Sequence, residues 1–147
     1  SYFDISIDKI KIALEAYNPS NSRSQLIKKD SNTIILDAYN ANPTSMHAAI
    51  KNFTQSDYPN KVLILGAMME LGDESIEEHQ QLIKQIEETN WNNVVLVGGD
   101  FKKVNHPFLY FDKAEDAAHW YKSQKWENTA ILIKGSRSFA MEKVLNG

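Results

Sequence analysis

The sequence predicts an α/β fold with a mostly parallel sheet. Short apolar runs rich in β-branched residues recur along the chain, helical patterns separate them, and polar or glycine-containing segments follow them. Strands buried on both faces read as continuous apolar runs, and strands that alternate with helices form parallel βαβ units. We therefore expect a Rossmann-like three-layer sandwich with about five parallel strands and one antiparallel edge strand.

The strands are placed by their apolar runs. The parallel strands are expected at residues 33–36, 61–65, 94–97, 108–111 and 130–133. Residues 24–28 are expected to add the antiparallel edge strand, because the turn composition of residues 30–32 joins them to the next run. No linker, repeat or low-complexity stretch interrupts the pattern, so we expect residues 1–147 to form one domain.

The helices are placed by the spacing of apolar residues and by capping signals. Residues 7–17 carry one apolar stripe, and residues 136–145 are expected to form a final helix. Asn42 followed by Pro43 indicates a helix start, because a capping side chain precedes a ring that already fixes φ. Two further starts are predicted from capping pairs, Ser75 with Glu78 and Asp112 with Glu115.

The composition argues against several classes of function. A formal net charge of −3 argues against a non-specific nucleic-acid binder, which usually carries a basic face. Without cysteine there is no disulfide, thiolate metal site or thiol nucleophile. No apolar run approaches the roughly 20 residues that span a bilayer, and the N-terminus lacks the layout of a signal peptide. We therefore expect a cytoplasmic protein with no nucleic-acid or membrane partner.

A polar cluster follows the strand predicted at residues 33–36, and it contains Asp37, Tyr39, Asn40 and Asn42. In open α/β sheets, ligands bind beyond the carboxyl ends of parallel strands. A carboxylate there accepts hydrogen bonds from ribose hydroxyls, the Tyr39 ring can lie near a base or a substrate chain, and each Asn side chain brings one acceptor and two donors. The alternative is that Asp37 only bonds the adjacent turn and Asn42 only caps a helix.

A second polar cluster, Lys134-Gly135-Ser136-Arg137-Ser138, follows the last predicted strand. Gly135 lets the backbone approach a ligand closely, a helix N-terminus donates N–H groups, and Arg137 can bind a carboxylate bidentately. The spacing is not that of the Walker phosphate loop, so the usual cradle for ATP phosphates is absent. The cluster therefore predicts an anion receptor. In the alternative, Lys134 and Arg137 are solvated and the serines cap the last helix.

Other candidate residues give weaker signals. Glu70 follows the second parallel strand and is expected to face the same cleft, unless it is a solvated loop acid. His79 lies on or beside an apolar helix face, where a lone histidine is usually a satisfied core residue. His47, His106 and His119 are scattered and lack the spacing of a zinc site, so we expect no metal site within this chain.

Three segments carry a resemblance to a known family: residues 37–46 (Asp-Ala-Tyr-Asn-Ala-Asn-Pro-Thr-Ser-Met), residues 69–72 (Met-Glu-Leu-Gly) with His79, and residues 133–138 (Ile-Lys-Gly-Ser-Arg-Ser) with Met141 and Glu142. Together they resemble the C-terminal domain of the MurF-type Mur ligases. Arg23-Ser24-Gln25 also matches the Gly-Arg-x-Gln segment of that family, so the resemblance covers essentially the whole chain. As a pair, the first and third segments are specific to this branch.

The resemblance implies a cytoplasmic step of peptidoglycan synthesis, and so a role in cell wall formation, cell shape and cell division. In this family ATP, with Mg²⁺, phosphorylates the terminal carboxylate of UDP-N-acetylmuramoyl-tripeptide, and the amine of D-Ala-D-Ala attacks the acyl phosphate to form an amide. Three domains take part, for the UDP-sugar, for ATP with Mg²⁺, and for the incoming dipeptide. This chain resembles the third, so the phosphate loop and magnesium ligands would lie elsewhere, and the isolated chain is expected to be inactive.

The resemblance also implies roles for individual residues. The nucleotide side would contain Arg23, Asp37, Tyr39, Asn40 and Asn42, with Asp37 directed towards the ribose. The D-Ala-D-Ala side would contain Lys134, Ser136, Arg137 and Glu70. Two departures stand out: Gly66-Ala67-Met68 replaces the common Gly-Asp-Met, which removes any role of that acid, and Ser24 replaces a common Met.

Two other functions remain open on the residues alone. A phospho-receiver-like signalling domain would also place an Asp and a Lys at strand ends, although it needs an acidic pair at the first strand end that is missing before Asp37. A stand-alone nucleotide-binding module without chemistry would instead bind ATP with no other domain.

Overall fold

A computed structural model describes residues 25–37 and 41–146, without the side chains of Arg137 and Asn146. These residues form one six-stranded sheet with helices on both faces. The helix expected at residues 7–17 lies outside the described residues, as do Arg23, Tyr39 and Asn40. No helix of the described part of the chain is long and apolar enough to cross a bilayer.

The elements follow the predicted alternation of strands and helices. In chain order they are β1 (Gln25–Lys29), β2 (Asn32–Asp37), α1 (Pro43–Thr54), β3 (Asn60–Gly66), α2 (Ser75–Glu87), β4 (Asn93–Val97), β5 (Leu109–Phe111), α3 (Ala114–Ser123), β6 (Thr129–Lys134) and α4 (Lys143–Asn146). The sheet order is β1-β2-β6-β3-β4-β5. Strand β1 pairs with β2 in antiparallel orientation and the other five strands are parallel, which confirms the predicted sheet.

The last strand, β6, lies between β2 and β3 in the middle of the sheet. It is fully buried along its length, as the continuous apolar run indicates. Because all three strands are parallel, their carboxyl ends meet at one edge of the sheet. The chain therefore brings together two polar clusters that are almost a hundred positions apart.

Two hydrophobic clusters lie on opposite faces of the sheet, because successive side chains of a strand point in opposite directions. Helices α1 and α2 cover one face, on which Leu132 of β6 and Leu65 of β3 lie. Helix α3 and the C-terminal segment cover the other, on which Ile131 and Ile133 lie. This alternation determines which helices surround any polar side chain at a strand end.

The start of α1 agrees with the sequence prediction. Asn42 Oδ1 accepts a hydrogen bond from the Ser45 backbone N–H at 2.8 Å, and Ser45 Oγ accepts one from the Asn42 N–H at 3.1 Å. Each side chain thus satisfies a backbone donor that the first helical turn leaves unpaired.

The capping box predicted at Ser75 is wrong. A 3₁₀ turn, Gly72–Glu74, precedes α2, and the N-cap position belongs to Glu74, which makes no side-chain cap. Ser75 is instead the first helical residue, and its hydroxyl donates to Asp100 Oδ2 at 2.5 Å. A tertiary partner that lies 25 residues away has taken the hydroxyl that the local pattern assigned to the helix end.

The two remaining helix predictions also need correction. Helix α3 has Lys113 at its N-cap, without a side-chain bond, so Asp112 does not cap it. The final helix predicted at residues 136–145 is broken into a 3₁₀ turn, Arg137–Phe139, and the short α4, with Ala140 between them at a φ of 48°. Phe139 packs against the end of β4 and Met141 is buried beside β3. Phe139 is partly buried and Met141 fully buried, and residues two apart on a helix do not share a face, so packing both side chains against the sheet ends the helix.

Candidate functional site

The candidate site is the edge of the sheet where β2, β6 and β3 end. At this edge Asp37 of β2 is in register with Lys134 of β6, and Lys134 is in register with Leu65 of β3. Ile35 and Leu132, two positions earlier, pack on the α1 and α2 side. The alternation of strand side chains therefore directs Asp37 and Lys134 to that same side.

Asp37 and Lys134 form a buried ion pair. Lys134 Nζ donates to Asp37 Oδ2 at 2.8 Å, and only 10% of the Asp37 side chain and 3% of the Lys134 side chain are exposed. The family resemblance implied different ligands for these two residues, the nucleotide for Asp37 and the dipeptide for Lys134. The structure places them in direct contact.

The segment after Lys134 is shaped by contact with β3. A Cβ atom on Gly135 would lie 2.7 Å from the Gly66 Cα and 2.7 Å from Met141 Cγ, so only glycine fits. The Ser136 N–H donates to the Ala67 carbonyl at 3.3 Å. The predicted close approach at Gly135 is therefore an approach to Gly66, and the backbone of the two strand ends is locked together.

Ser136 is buried and its hydroxyl accepts a hydrogen bond from the Ser138 N–H at 3.3 Å. This local bond lies at the 3₁₀ turn Arg137–Phe139, whereas the alternative interpretation had the serines cap the last helix. The N-terminus of a long helix, which the anion receptor was expected to use, does not follow β6. Arg137 lies in the 3₁₀ turn, and its side chain is outside what the structure describes.

The loop after β3 presents an acid to solvent. Glu70 is exposed and has a φ of 63°, in the left-handed region that few non-glycine residues adopt. Within the described residues it makes no side-chain hydrogen bond or ion pair. The neighbouring Met69 is one of the three large exposed hydrophobic side chains in the described part of the chain.

His79 of α2 anchors the loop at residues 68–72 through a hydrogen bond. Its Nε2 accepts a hydrogen bond from the Met68 N–H at 3.0 Å, which leaves the proton on Nδ1 to donate to the Ser75 carbonyl at 2.7 Å. The ring is fully buried and meets Phe101 edge to face at 4.8 Å between centroids. Burial lowers the pKa of His79, so the imidazole is neutral at physiological pH. His79 is a satisfied core residue, as its position on the helix indicated.

The link between α2 and the turn after β4 was not predicted. Its members are Ser75, His79 and Asp100, and the hydrogen bond from Ser75 lowers the pKa of the Asp100 carboxyl. Ser75 and His79 are four residues apart, which places them on one helix face. That spacing was a usable signal, but nothing in the sequence pointed to Asp100.

The remaining predicted residues lie at the margin of the described site. Asn42 is exposed, and its side-chain oxygen is engaged in capping α1. Within residues 25–37 and 41–146, no group of three or more His, Cys, Asp or Glu side chains could hold a metal ion. An open groove of about 730 Å³ lies at the opposite edge of the sheet, near Asn32 and Trp126, and contains none of the predicted site residues.

Comparison with known proteins identifies the family. The model of the Mur ligase, glutamate ligase domain family matches residues 22–137. Two relatives are named UDP-N-acetylmuramoyl-tripeptide–D-alanyl-D-alanine ligase: that of Rickettsia prowazekii is 31% identical over 86% of this chain and 30% of its own length, and that of Bacillus subtilis is 32% identical over 99% and 34%. The chain thus spans about a third of these relatives.

Solved structures agree with this result. MurF from Acinetobacter baumannii is 30% identical with a TM-score of 0.71, over 97% of this chain and 33% of that one. MurF ligase from Thermotoga maritima, in complex with ADP, has a TM-score of 0.73 over 84% of this chain and 29% of that one, and at 24% identity it supports the fold alone. Because the family model covers more than half of the residues, including the first strand-end cluster and the second as far as Arg137, the chain belongs to the Mur ligase family.

Proposed function

We propose that this chain is the C-terminal domain of a cytoplasmic, ATP-dependent ligase that adds D-Ala-D-Ala to UDP-N-acetylmuramoyl-tripeptide in peptidoglycan synthesis. One observation carries the proposal: the relatives with this enzyme name align along nearly the whole chain, while the chain spans only about a third of each. Residues 1–147 would therefore act with a central ATP-binding domain and an N-terminal UDP-sugar domain of the same polypeptide.

In the proposed reaction, a phosphoryl group passes from ATP to the terminal carboxylate of the tripeptide. The amine of D-Ala-D-Ala then attacks the acyl phosphate, an amide bond forms, and phosphate leaves. Mg²⁺ supplies charge neutralisation in phosphoryl transfer. We propose that the magnesium ligands are supplied mainly by the central domain.

The proposed nucleotide side contains Asp37, directed towards the ribose, together with Arg23, Tyr39, Asn40 and Asn42. The position of Asp37 supports this, since its carboxylate lies at the carboxyl end of a parallel strand near the middle of the sheet. The proposed dipeptide side contains Ser136, Arg137 and Glu70. The resemblance implies the same side for Lys134, whose described side-chain contact is with Asp37.

The first test uses the complete polypeptide. We expect it to release phosphate only when ATP, UDP-N-acetylmuramoyl-tripeptide and D-Ala-D-Ala are all present, and mass spectrometry should detect the pentapeptide product. The 147-residue chain alone should release none, because it lacks the groups that position and stabilise the transferred phosphoryl. Robust phosphate release by the isolated chain, or no pentapeptide from the complete protein, would contradict the proposal.

The second test concerns the dipeptide side. In the complete protein, Arg137→Ala should mainly weaken the use of D-Ala-D-Ala, because a guanidinium binds a carboxylate bidentately. Arg137→Lys is the matched variant, which keeps the charge and loses the fork geometry, so we expect an intermediate effect. If dipeptide kinetics are unchanged while the use of ATP collapses, the assignment of this junction is wrong.

The two alternatives are not favoured. A receiver domain needs an acidic pair that binds magnesium beside its phosphate-accepting Asp, and the part of the chain that the structure describes contains no group of three or more His, Cys, Asp or Glu side chains that could hold a metal ion. A stand-alone binding module would be expected to match relatives along most of their length, and this chain matches about a third. Phosphorylation of the chain by a small phosphodonor would revive the first, and tight ATP binding by the isolated chain would revive the second.

A further inference from the structure

We infer that Lys134 is a positioning residue for the Asp37 carboxylate and that it acts on the nucleotide side of the site. This inference rests on the proposed function, in which Asp37 faces the ribose. It replaces the expectation, implied by the family resemblance, that Lys134 contacts the dipeptide. The two expectations differ in which substrate a Lys134 variant affects.

The first support for the inference is the position of the Lys134 ammonium. Lys134 lies between Asp37 and Leu65 in the row of side chains that crosses β2, β6 and β3, and of these two neighbours only Asp37 carries a charge. Nζ lies 2.8 Å from Asp37 Oδ2, and the side chain is 97% buried. An ammonium so placed is covered by the protein and is in direct contact with the Asp37 carboxylate.

The second support for the inference is the geometry of the Asp37 carboxylate. A carboxylate has two oxygens that each accept hydrogen bonds, and Lys134 occupies Oδ2. This contact fixes the rotation of the carboxylate about its Cβ–Cγ bond, so that Oδ1 has one orientation instead of several. Within the described residues, the only side-chain hydrogen bond of Asp37 is the one from Lys134. Oδ1 is therefore the atom that a ribose hydroxyl can use.

The third support for the inference is the backbone, because Lys134 is attached to a rigid element. Lys134 is the last residue of the central strand, and the next two residues are locked to β3 by the Gly135–Gly66 contact and by the Ser136 N–H to Ala67 carbonyl hydrogen bond. A side chain on such a support holds its partner in one place, which is the requirement for a group that orients a ligand contact.

The test measures the recognition of ribose hydroxyls in the complete polypeptide. Equilibrium affinities for ATP, 2′-deoxy-ATP and 3′-deoxy-ATP are compared in the wild type, Asp37→Asn and Lys134→Met. A hydrogen bond to a charged group changes affinity by about tenfold or more, so we expect the wild type to prefer ATP over at least one deoxy analogue by that factor. In both variants the preference should fall to within about twofold.

The matched control is Lys143→Met. Lys143 also pairs with a carboxylate, Glu115 at 3.2 Å, but both side chains are more than half exposed and lie on the helices of the other face. This variant should keep the wild-type preference. A wild type without ribose preference, or a Lys134→Met variant that keeps it, would overturn the inference.

Dipeptide kinetics separate the two assignments of Lys134. The KM for D-Ala-D-Ala should stay within about twofold of the wild type in Lys134→Met, whereas a direct dipeptide contact predicts a rise of about tenfold or more. Such a rise with an unchanged ribose preference would return Lys134 to the dipeptide side.

Lys134→Met leaves the buried Asp37 charge without its cation, and this destabilises the fold. The double variant Asp37→Asn/Lys134→Met removes both charges and should resemble Asp37→Asn in ribose preference and in dipeptide KM. A further rise in dipeptide KM would contradict the inference. The affinity measurements do not need turnover, so a protein that shows the expected preference pattern but forms no pentapeptide would refute the proposed function and leave the inference standing.

Discussion

Replacing His79 tests how the loop at residues 68–72 is held against α2. His79→Leu keeps an apolar side chain in the core but removes the acceptor of the Met68 N–H, which is otherwise paired at 3.0 Å in a buried position. An unsatisfied buried donor costs about 1–3 kcal/mol, and the lost edge-to-face contact with Phe101 adds about 0.5–1.5 kcal/mol. We expect the free energy of unfolding to fall by about 2–4 kcal/mol at pH 7.5.

The fall in the free energy of unfolding caused by His79→Leu should become smaller as the pH falls. Burial lowers the pKa of His79, so between about 6.5 and the lower pKa of the folded chain the unfolded state binds a proton that the folded state does not. The stability of the wild type therefore decreases on acidification through this range, by at most about 1.4 kcal/mol per pH unit for one group. His79→Leu lacks this term, so the difference between the two proteins should narrow from pH 7 to pH 5.

The assay is urea denaturation of the 147-residue chain, monitored by tryptophan fluorescence at several pH values between 5 and 7.5. The pKa of the Asp100 carboxyl is also lowered, chiefly by the hydrogen bond from Ser75, so this group stays ionised throughout this range. His119→Leu is the control, since His119 is exposed, and it should change stability by less than about 0.5 kcal/mol. A difference between wild type and His79→Leu that stays constant or widens on acidification would refute the reasoning.

Three further predictions concern the elements around the site. Gly135→Ala should lower the free energy of unfolding by about 1–3 kcal/mol, because its Cβ would lie 2.7 Å from the Gly66 Cα. Gly72→Ala should cost only about 1–2 kcal/mol of backbone strain, because Gly72 has open space around it and a φ of 61°. A larger stability loss at Gly72 than at Gly135 in urea titrations would contradict this comparison. Asn42→Ala should cost about 1 kcal/mol by the same assay, through loss of the α1 cap, and an unchanged midpoint would show that the cap is dispensable. Burial, with the hydrogen bond to Asp112, raises the pKa of Tyr110 to about 12, so absorbance titration of the wild type against Tyr110→Phe should show no ionisation of this phenol near pH 10.

The sheet was predictable because its strands are encoded locally. A run such as Ile131–Ile133 is apolar at every position, as a strand between two layers requires, and the flanking residues mark its ends. The Asn42–Pro43 signal fixed the start of α1 for the same reason, since both residues act within one turn. In each case the residues that determine the structure are neighbours in sequence.

The failures came where a distant partner decided the outcome. The Ser75 hydroxyl donates to Asp100 instead of capping a helix end, and the final helix breaks so that Phe139 and Met141 can both pack against the ends of the strands. The Asp37–Lys134 pair joins residues 97 positions apart, and it depends on β6 lying next to β2, which the order of elements along the chain does not specify. Strand order is a property of the packed layers, not of any local pattern.

These contacts suggest how the strand-end edge is made ready for a ligand. The ends of the central strands are joined by direct backbone contacts: the Ala67 N–H donates to the Val97 carbonyl at 3.0 Å, and the Ser136 N–H donates to the Ala67 carbonyl at 3.3 Å. Lys134 and His79 add buried side-chain contacts to the strand end at Asp37 and to the loop that bears Glu70. Because these contacts lie within the chain, ligand binding need not order the described part of this edge, and in the proposed ligase the binding energy would be available for closure onto the groups of the other domains.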